Sequence, residues 1–317
     1  MNATEASIHE QFPYWDALAN VELRPRLGKT HVVLGCGTSY NLALTIAAFL
    51  NDRGHQAIAV PGNEWFRRPQ SYCANPNDTV VIAVSRSGES SELVRAAQAA
   101  RSRGLEVIGI TCNDKSSLVS HSDQLIASPT HPSEGIVMTA SASLMLLMGM
   151  KFAGYQVGAE TTSEARHMLD QMALSDLSAL STRSHFVFLG GGPLYGLAAE
   201  GGLKLQEMAC TFTQAYHPLE YRHGPISLID DRSVVTILYH PTTRGEEEQL
   251  ADELRAKGAF VIGLGGKGDL SFAVDGAKDA VSLVYLPTLQ LLGERIAQMR
   301  GQDTSAPRHL SKVVVLA

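Results

Sequence analysis

Three charged residues, Glu200, Lys204 and Glu207, have the spacing that places side chains on one face of a helix. A helix is predicted over residues 195–209, and its other residues are mostly small or apolar. On a solvated face the three would form an ordinary ion pair, worth roughly a few tenths of a kcal/mol. The apolar surroundings instead favour a cluster that faces a cleft, where a carboxylate beside a lysine can transfer protons.

Hydroxyl-bearing residues and glycines follow two predicted strands, at residues 35–39 and 85–91, and a third such turn spans residues 138–141. Each turn precedes a helical pattern, and a helix N-terminus attracts phosphate through its free amides and partial positive charge. One turn alone is explained equally well by helix capping, whereas several in one domain favour a phosphate site. The candidate residues of this phosphate cradle are Cys36, Gly37, Thr38, Ser39, Ser85, Arg86, Ser87, Ser90 and Thr139.

Two further residues could take part in acid–base chemistry. His223 lies in the run of residues 220–225, and Lys312 lies close to the C-terminus. A loop histidine is more often structural or merely exposed, and a lysine near a terminus is usually solvated. Spacing in the sequence alone does not bring either residue to the other candidates.

Apolar runs that suit strands alternate with amphipathic runs that suit helices. Continuous apolar runs such as residues 31–34 are typical of strands buried on both faces of a parallel sheet, so the pattern predicts a doubly wound α/β fold. The second half repeats the first, because residues 31–34, 80–81 and 107–109 match residues 185–188, 234–235 and 261–263, each 154 positions later. Two copies of one fold are therefore predicted, connected by the helical stretch at residues 162–180.

Composition excludes several classes of protein. The 317 residues carry a formal net charge of −6, with 44% hydrophobic and 18% charged residues, which is typical of a globular protein and does not favour nucleic-acid binding. No apolar run reaches the roughly 18 residues of a membrane span, and the N-terminus lacks a secretory pattern, so a cytoplasmic location is expected. The four cysteines form no C-x-x-C pair, and neither a G-x-G-x-x-G turn after the first strand nor a P-loop occurs, so we expect no metal and no cofactor.

Five motifs then occur in a recognisable order: Cys36-Gly37-Thr38-Ser39-Tyr40, Ser85-Arg86-Ser87-Gly88-Glu89-Ser90, Glu200-Gly201-Gly202-Leu203-Lys204-Leu205-Gln206-Glu207, His223-Gly224-Pro225 and Pro307-Arg308-His309-Leu310-Ser311-Lys312. Together they resemble the isomerase half of glucosamine-6-phosphate synthase, of the sugar isomerase (SIS) domain family. Residues 8–15, 86–88, 138–141 and 243–244 are similar to the tagatose/galactosamine-6-phosphate isomerase-deaminase branch. The resemblance implies two tandem flavodoxin-like SIS domains, each a parallel sheet flanked by helices. These are residues 1–160, with an N-terminal helix and the phosphate cradle, and residues 161–317, with the acid–base residues and a C-terminal tail.

The resemblance also implies a role for each matching position. The phosphate cradle would hold the sugar phosphate, and Glu207 would move a proton between C1 and C2 of the open-chain sugar. His223 would assist ring opening from the neighbouring subunit of a homodimer with shared active sites. Lys204 would stabilise or deprotonate the C2 oxygen, and Glu200 would position Lys204. Lys312 would approach the carbonyl carbon, where an imine can form.

The sequence departs from the synthase in two ways. It shows no glutaminase domain with an N-terminal cysteine nucleophile, so glutamine-driven ammonia supply is not expected, and Arg86 stands where the synthase has glutamine. The expected function is conversion of an amino-hexose 6-phosphate to a ketohexose 6-phosphate plus ammonia, with a phosphorylated hexose or hexosamine as ligand and neither nucleic acid nor membrane as partner. The alternatives are a tagatose- or fructose-type 6-phosphate isomerase without deamination, a fructosamine-phosphate deglycase and a non-catalytic phosphosugar sensor.

Overall fold

A computed structural model of the protein describes residues 1–73, 75–276 and 278–315. The chain divides into two compact units. The first unit holds Glu10–Gly158 and the chain from Ser311 onward, and the second holds Met1–His9, with helix α1 (Ala3–His9), and Ala159–Leu310. These units differ from the predicted ranges 1–160 and 161–317 at both termini, because the N-terminal residues belong to the second unit and the C-terminal segment belongs to the first.

The first unit is a five-stranded parallel sheet flanked by helices. Its strands are β1 (Thr30–Gly35), β2 (Gln56–Pro61), β3 (Thr79–Ser85), β4 (Glu106–Thr111) and β5 (Gln124–Ala127). Its α-helices are α2 (Phe12–Asp16), α3 (Thr38–Asp52), α4 (Gly62–Arg67), α5 (Ser91–Ser102), α6 (Ser117–Ser120) and α7 (Ala140–Phe152), with 3-10 turns at Pro69–Ser71 and Pro76–Asp78. The strand order is β2-β1-β3-β4-β5. Every residue of β3 and of α7 is buried, as expected of elements that are apolar on all sides.

The second unit contains another five-stranded parallel sheet. Its strands are β6 (His185–Gly190), β7 (Thr213–Tyr216), β8 (Ser233–Leu238), β9 (Phe260–Leu264) and β10 (Leu270–Phe272). Besides α1, its α-helices are α8 (Ala159–Leu174), α9 (Leu194–Ala209), α10 (Arg244–Ala256) and α11 (Val281–Met299), with 3-10 turns at Ser178–Leu180, Glu220–Arg222, Pro225–Leu228 and Lys278–Ala280. The strand order is β10-β9-β8-β6-β7.

Both sheets have the same order when each is numbered from its own first strand. That order, 2-1-3-4-5, is the flavodoxin-like arrangement, in which ligands bind beyond the carboxyl ends of the strands. The predicted strands at residues 31–34, 80–84 and 107–110 lie within β1, β3 and β4, and their repeats lie within β6, β8 and β9. The α/β architecture and the parallel sheets are thus confirmed.

Contacts of helices α8 and α11 show which segments of the chain belong to the second unit. The stretch at 162–180, predicted as a connector, lies mostly in α8, which packs against α11 and so belongs to the core of this unit. The start of the chain is attached to α11 by polar contacts: Asn2 Nδ2 donates to Glu294 Oε1 at 2.7 Å, and Arg295 pairs with Glu5 at 2.9 Å. None of the helices in the described part of the chain is long and apolar enough to cross a membrane.

Candidate active site

The first hydroxyl turn joins β1 to α3, at the carboxyl end of a central strand. Thr38 and Ser39 form the first turn of α3 and are 4% and 5% exposed. The backbone amide of Ser39 donates to the carbonyl of Cys36 at 3.1 Å, which shapes the turn before the helix begins. Burial, reinforced by the negative charge of Glu92, raises the pKa of the Cys36 thiol to about 11. The turn therefore offers hydroxyl groups, helix N-terminal amides and a neutral thiol.

The second hydroxyl turn joins β3 to α5 and is held by its own side chains. The Ser85 hydroxyl accepts a hydrogen bond from the Gly88 amide at 3.0 Å, and the Ser87 hydroxyl accepts one from the Glu89 amide at 3.2 Å. Gly88 has a φ of 66°, and a Cβ at this position would lie 2.0 Å from Ser116 Oγ. Only glycine fits this conformation and this space, so the turn is preorganised ahead of the α5 N-terminus.

The third turn, at the start of α7, already holds a carboxylate. Glu134 is 3% exposed, and its Oε1 accepts hydrogen bonds from the amide and hydroxyl of Thr139, at 2.5 and 3.1 Å. The same oxygen accepts the amide and hydroxyl of Ser141, both at 3.0 Å. The donors that we expected to meet phosphate here thus meet Glu134, and a phosphate contact of Thr139 stays a prediction.

Glu134 was not among the residues that we singled out in the sequence. Its only sequence signal is an acidic residue upstream of a helix start, five positions before Thr139. That spacing lies outside the capping-box pattern, in which the acidic residue follows the N-cap. Its role depends on how the intervening loop folds back.

Lys312 and Arg86 meet in the first unit, close to the second hydroxyl turn. The Arg86 guanidinium donates to the backbone carbonyls of Lys312 at 3.1 Å and Gly135 at 3.0 Å. The Lys312 ammonium donates to the carbonyl of Glu134 at 2.8 Å. The structure thus brings Lys312 to the residues of the predicted phosphate cradle, which sequence spacing could not do.

The predicted cluster on α9 is present in the second unit. Lys204 Nζ lies 2.5 Å from Glu207 Oε2 and 3.3 Å from Glu200 Oε1. The side chains of Glu200 and Lys204 are fully buried, whereas that of Glu207 is 20% exposed. A Cβ on Gly201 would lie 2.8 Å from the Phe188 ring, so glycine allows α9 to pack closely on β6 and bury its charged face.

The two carboxylates determine the charge of Lys204. Burial by itself would lower the pKa of Lys204, but Glu200 and Glu207 outweigh burial and raise the pKa above its usual value. The two carboxylates therefore favour the ammonium form of Lys204, which suits a charged donor better than a base. Glu207 is the one member of the three that solvent reaches.

His223 lies in the second unit, immediately after the 3-10 turn at Glu220–Arg222. Its side chain is exposed, and its backbone amide donates to the carbonyl of Glu220 at 3.0 Å. Among the described hydrogen bonds, none connects His223 to the α9 cluster. Its catalytic role stays a prediction that comes from the resemblance.

The turn after β8 in the second unit corresponds to the second hydroxyl turn and is filled differently. Glu247, 2% exposed, accepts hydrogen bonds from the His240 amide at 2.8 Å and from the Thr243 hydroxyl at 2.9 Å. Burial raises the pKa of Glu247 above its usual value. A carboxylate at the start of α10 would repel a phosphate, which agrees with the concentration of hydroxyl turns in the first half. Among the described residues, no group of three or more His, Cys, Asp or Glu side chains could hold a metal ion.

Comparison with known proteins identifies the family. The family model described as "SIS domain" matches residues 28–153. The crystal structure of a glucosamine-6-phosphate deaminase from Thermotoga maritima is 30% identical in sequence, with a TM-score of 0.84 over 99% of this chain and 100% of that chain. The chain therefore belongs to the SIS domain family.

Two other known proteins are similar to this chain over most of its length. Glutamine–fructose-6-phosphate aminotransferase (isomerizing) from Pyrobaculum aerophilum is 28% identical over an alignment 316 positions long, which covers 90% of this chain and 51% of that protein. The chain thus spans about half the length of the curated relatives it matches. The structure of tagatose-6-phosphate ketose/aldose isomerase from Escherichia coli has a TM-score of 0.81 and 24% identity, over 99% of this chain and 96% of that chain, and supports the fold alone.

Proposed function

We propose that this chain is a phosphosugar aldose–ketose isomerase and deaminase, which converts an amino-hexose 6-phosphate into a ketohexose 6-phosphate and ammonia. The observation that carries the proposal is the α9 cluster, in which the fully buried ammonium of Lys204 is held between Glu200 and the partly exposed Glu207. A buried cation beside a carboxylate that solvent reaches suits proton transfer with stabilisation of a developing negative charge.

The reaction needs one base that serves two neighbouring carbons. After ring opening, Glu207 removes the C2 proton of the open-chain amino sugar and returns a proton to C1. The C1 oxygen gains a proton and the C2 nitrogen loses one, both by exchange with solvent, so that the aldehyde and C2 amine become a C1 alcohol and a C2 imine through an enolamine. Water then adds to C2 and ammonia leaves, which gives the ketose. Lys204, as an ammonium, stabilises the negative charge, and Glu200 keeps Lys204 in place.

The first unit supplies phosphate binding in this proposal. Its two hydroxyl turns lie at the carboxyl ends of β1 and β3 and precede α3 and α5, the arrangement in which helix N-termini bind phosphate. The candidate ligands are the hydroxyl and amide groups of Thr38, Ser39, Ser85, Ser87 and Ser90. Holding the phosphate restricts the motion of the sugar, and such positioning is a large part of the rate enhancement in reactions of this kind.

The finer assignments are also proposals. The shared strand order of the two sheets supports two tandem SIS domains, although the family model matches only residues 28–153. The whole-chain likeness to a protein named glucosamine-6-phosphate deaminase supports deamination. We further propose a cytoplasmic homodimer with shared active sites, in which His223 assists ring opening in the partner's site.

The experiment is a panel of glucosamine, galactosamine, fructose, tagatose and fructosamine 6-phosphates, supplied without glutamine, with ammonia and sugar products both quantified. Ammonia and a ketose 6-phosphate from an amino sugar are the expected products. Interconversion of aldose and ketose without ammonia would leave a simple isomerase, and amine release from a fructosamine phosphate would indicate a deglycase. Tight binding without any turnover would indicate a sensor.

The proton-transfer role is tested in D₂O with Glu207→Gln. We expect this variant to lose deuterium exchange at C1 and C2 while it still binds a hexitol 6-phosphate. Glu246→Gln, an exposed glutamate of α10 in the same unit, is the matched control and should exchange normally. Exchange by Glu207→Gln at the wild-type rate would show that another group is the base.

The shared-site homodimer is tested by mixing two inactive variants, His223→Ala and Glu207→Gln. If His223 serves the partner's site, a hybrid dimer contains one site with both residues intact, and part of the activity returns. Subunit exchange is verified with differently tagged chains. Exchange without recovery of activity would show that each site is built from one chain.

A further inference from the structure

The Arg86 side chain donates hydrogen bonds to two backbone carbonyls. Arg86 is 8% exposed, and its two terminal nitrogens donate to the carbonyls of Gly135 and Lys312 at 3.0 and 3.1 Å. A guanidinium is a planar fork of donors, so two carbonyls that accept from its two terminal nitrogens hold it in one orientation. A side chain held in this way is suited to fixing the two chain segments that it joins.

The segment from Lys312 to Val315 is attached at two more points. The Lys312 ammonium donates to the carbonyl of Glu134 at 2.8 Å, and the Ser91 amide at the start of α5 donates to the carbonyl of Val314 at 3.3 Å. The loop that receives Lys312 is itself fixed, because the Glu134 carboxylate accepts four hydrogen bonds from the start of α7. Arg86 therefore joins this fixed loop to the backbone of the C-terminal segment, beside the link that the Lys312 ammonium itself makes to the loop.

We propose that Arg86 is a positioning residue that holds Lys312 in place, rather than a ligand of the substrate phosphate. The consequence for catalysis rests on the proposed function and on the role that the family resemblance implies for Lys312, which is to approach the substrate carbonyl carbon. The anchoring of the segment does not depend on that function. This assigns Arg86 differently from our sequence-based expectation, which placed it among the phosphate ligands.

Three substitutions separate the two roles. Arg86→Gln removes the charge and leaves one donor group, whereas Arg86→Lys keeps the charge but loses the fork that joins two carbonyls. A positioning role predicts that both variants lower kcat about 10- to 100-fold and leave the Kd for a hexitol 6-phosphate within about twofold of wild type. A phosphate ligand predicts the opposite: Arg86→Gln would weaken that Kd about tenfold or more, and Arg86→Lys would retain most of the affinity. Arg103→Gln, which removes the same charge from an exposed site in the same unit, is the matched control.

A double substitution tests whether Arg86 acts through Lys312. Lys312→Ala removes the ammonium but leaves the backbone carbonyl that Arg86 contacts. If Arg86 only positions Lys312, Arg86→Gln lowers kcat in the wild-type background and has no further effect in Lys312→Ala. An equal loss in both backgrounds would overturn the proposal, because Arg86 would then act on the reaction independently.

The anchoring itself is measured by hydrogen exchange of a peptide that contains residues 308–315. We expect about tenfold faster exchange in Arg86→Gln and wild-type exchange in Arg103→Gln. Both tryptophans, Trp15 and Trp65, lie in the first unit, so tryptophan fluorescence shows whether each variant is folded. If the wild type turns over no phosphosugar, the proposed function fails. Hydrogen exchange of residues 308–315 and the Kd for the hexitol 6-phosphate then still decide the role of Arg86. Unchanged hydrogen exchange of residues 308–315 in folded Arg86→Gln would overturn the proposal that Arg86 anchors the C-terminal segment.

Discussion

Replacing Lys204 with methionine is expected to destabilise the second unit by about 3–4 kcal/mol at pH 7 and by only about 1 kcal/mol at pH 5. Methionine matches the length of the apolar stem but leaves Glu200, whose side chain is fully buried, without its ammonium partner at 3.3 Å. At an effective dielectric constant near 20, an ion pair at that distance contributes about 5 kcal/mol of Coulomb energy, before the cost of burial is subtracted. Glu207 is 20% exposed and can turn its charge toward water.

The pH dependence arises because protonation of Glu200 is the way of removing the unpaired buried charge that costs the least free energy. Protonating a carboxyl group with an ordinary pKa near 4.3 costs about 3.7 kcal/mol at pH 7 and about 1 kcal/mol at pH 5. The folded-state pKa of Glu200 in the variant is raised above the unfolded value. The penalty therefore grows as the pH rises from the unfolded value toward the raised folded-state pKa, and it is relieved as the pH falls back.

The assay is urea unfolding at pH 5 and pH 7, followed by circular dichroism, with hydrogen exchange of α9 to localise the change. Lys257→Met replaces an exposed lysine of the same unit and is expected to change the free energy of unfolding by less than about 0.5 kcal/mol. Glu200→Gln combined with Lys204→Met removes both charges and should abolish most of the pH-dependent loss. A loss of equal size at both pH values, or no loss at all, would refute the account of Lys204 as the compensating charge of a buried carboxylate.

Two further predictions concern the first unit, and a third concerns the expectation that the reaction needs no metal. Ser87→Ala should weaken hexitol 6-phosphate binding by about 1.5–3 kcal/mol in titration calorimetry, since one charge-assisted hydrogen bond is lost, and unchanged affinity would argue against the phosphate cradle. Gly88→Ala should lower the urea midpoint, measured by tryptophan fluorescence, much more than Gly104→Ala does. Both glycines have a positive φ, but an added Cβ meets Ser116 Oγ at 2.0 Å only at Gly88. Equal losses in the two variants would contradict this steric account. A chelator such as EDTA should leave turnover unchanged, and restoration of lost activity by one divalent cation would show a metal requirement.

The α9 cluster shows which features of the site the local sequence can predict. The spacing of Glu200, Lys204 and Glu207 places them on one helical face whatever the rest of the chain does, and α9 confirms the helix predicted over residues 195–209. Which of them solvent reaches could not be predicted, because the exposure of Glu207 depends on the packing of neighbouring elements against α9. The same holds for the charge of Lys204, which reflects two carboxylates acting against burial.

The phosphate cradle shows a similar limit. The hydroxyl turns at residues 35–39 and 85–91 were predicted from residue types that follow apolar runs, and both lie where a strand ends and a helix begins. The third turn was predicted on the same grounds, yet its donors contact Glu134. A local pattern identifies a helix N-terminus but does not show whether a distant side chain already occupies it.

The sequence by itself determined the order of strands and helices, the twofold repeat and the residue types available for chemistry. These features depend on the apolar period of short segments, since a parallel strand buried on both faces must be apolar throughout. Only the tertiary structure decided that the C-terminal segment belongs to the first unit, that Arg86 contacts the backbone of Lys312 and that Glu134 fills the start of α7. Those contacts join residues as many as 226 positions apart, and buried hydrogen-bonding groups find such partners only when the whole chain has folded.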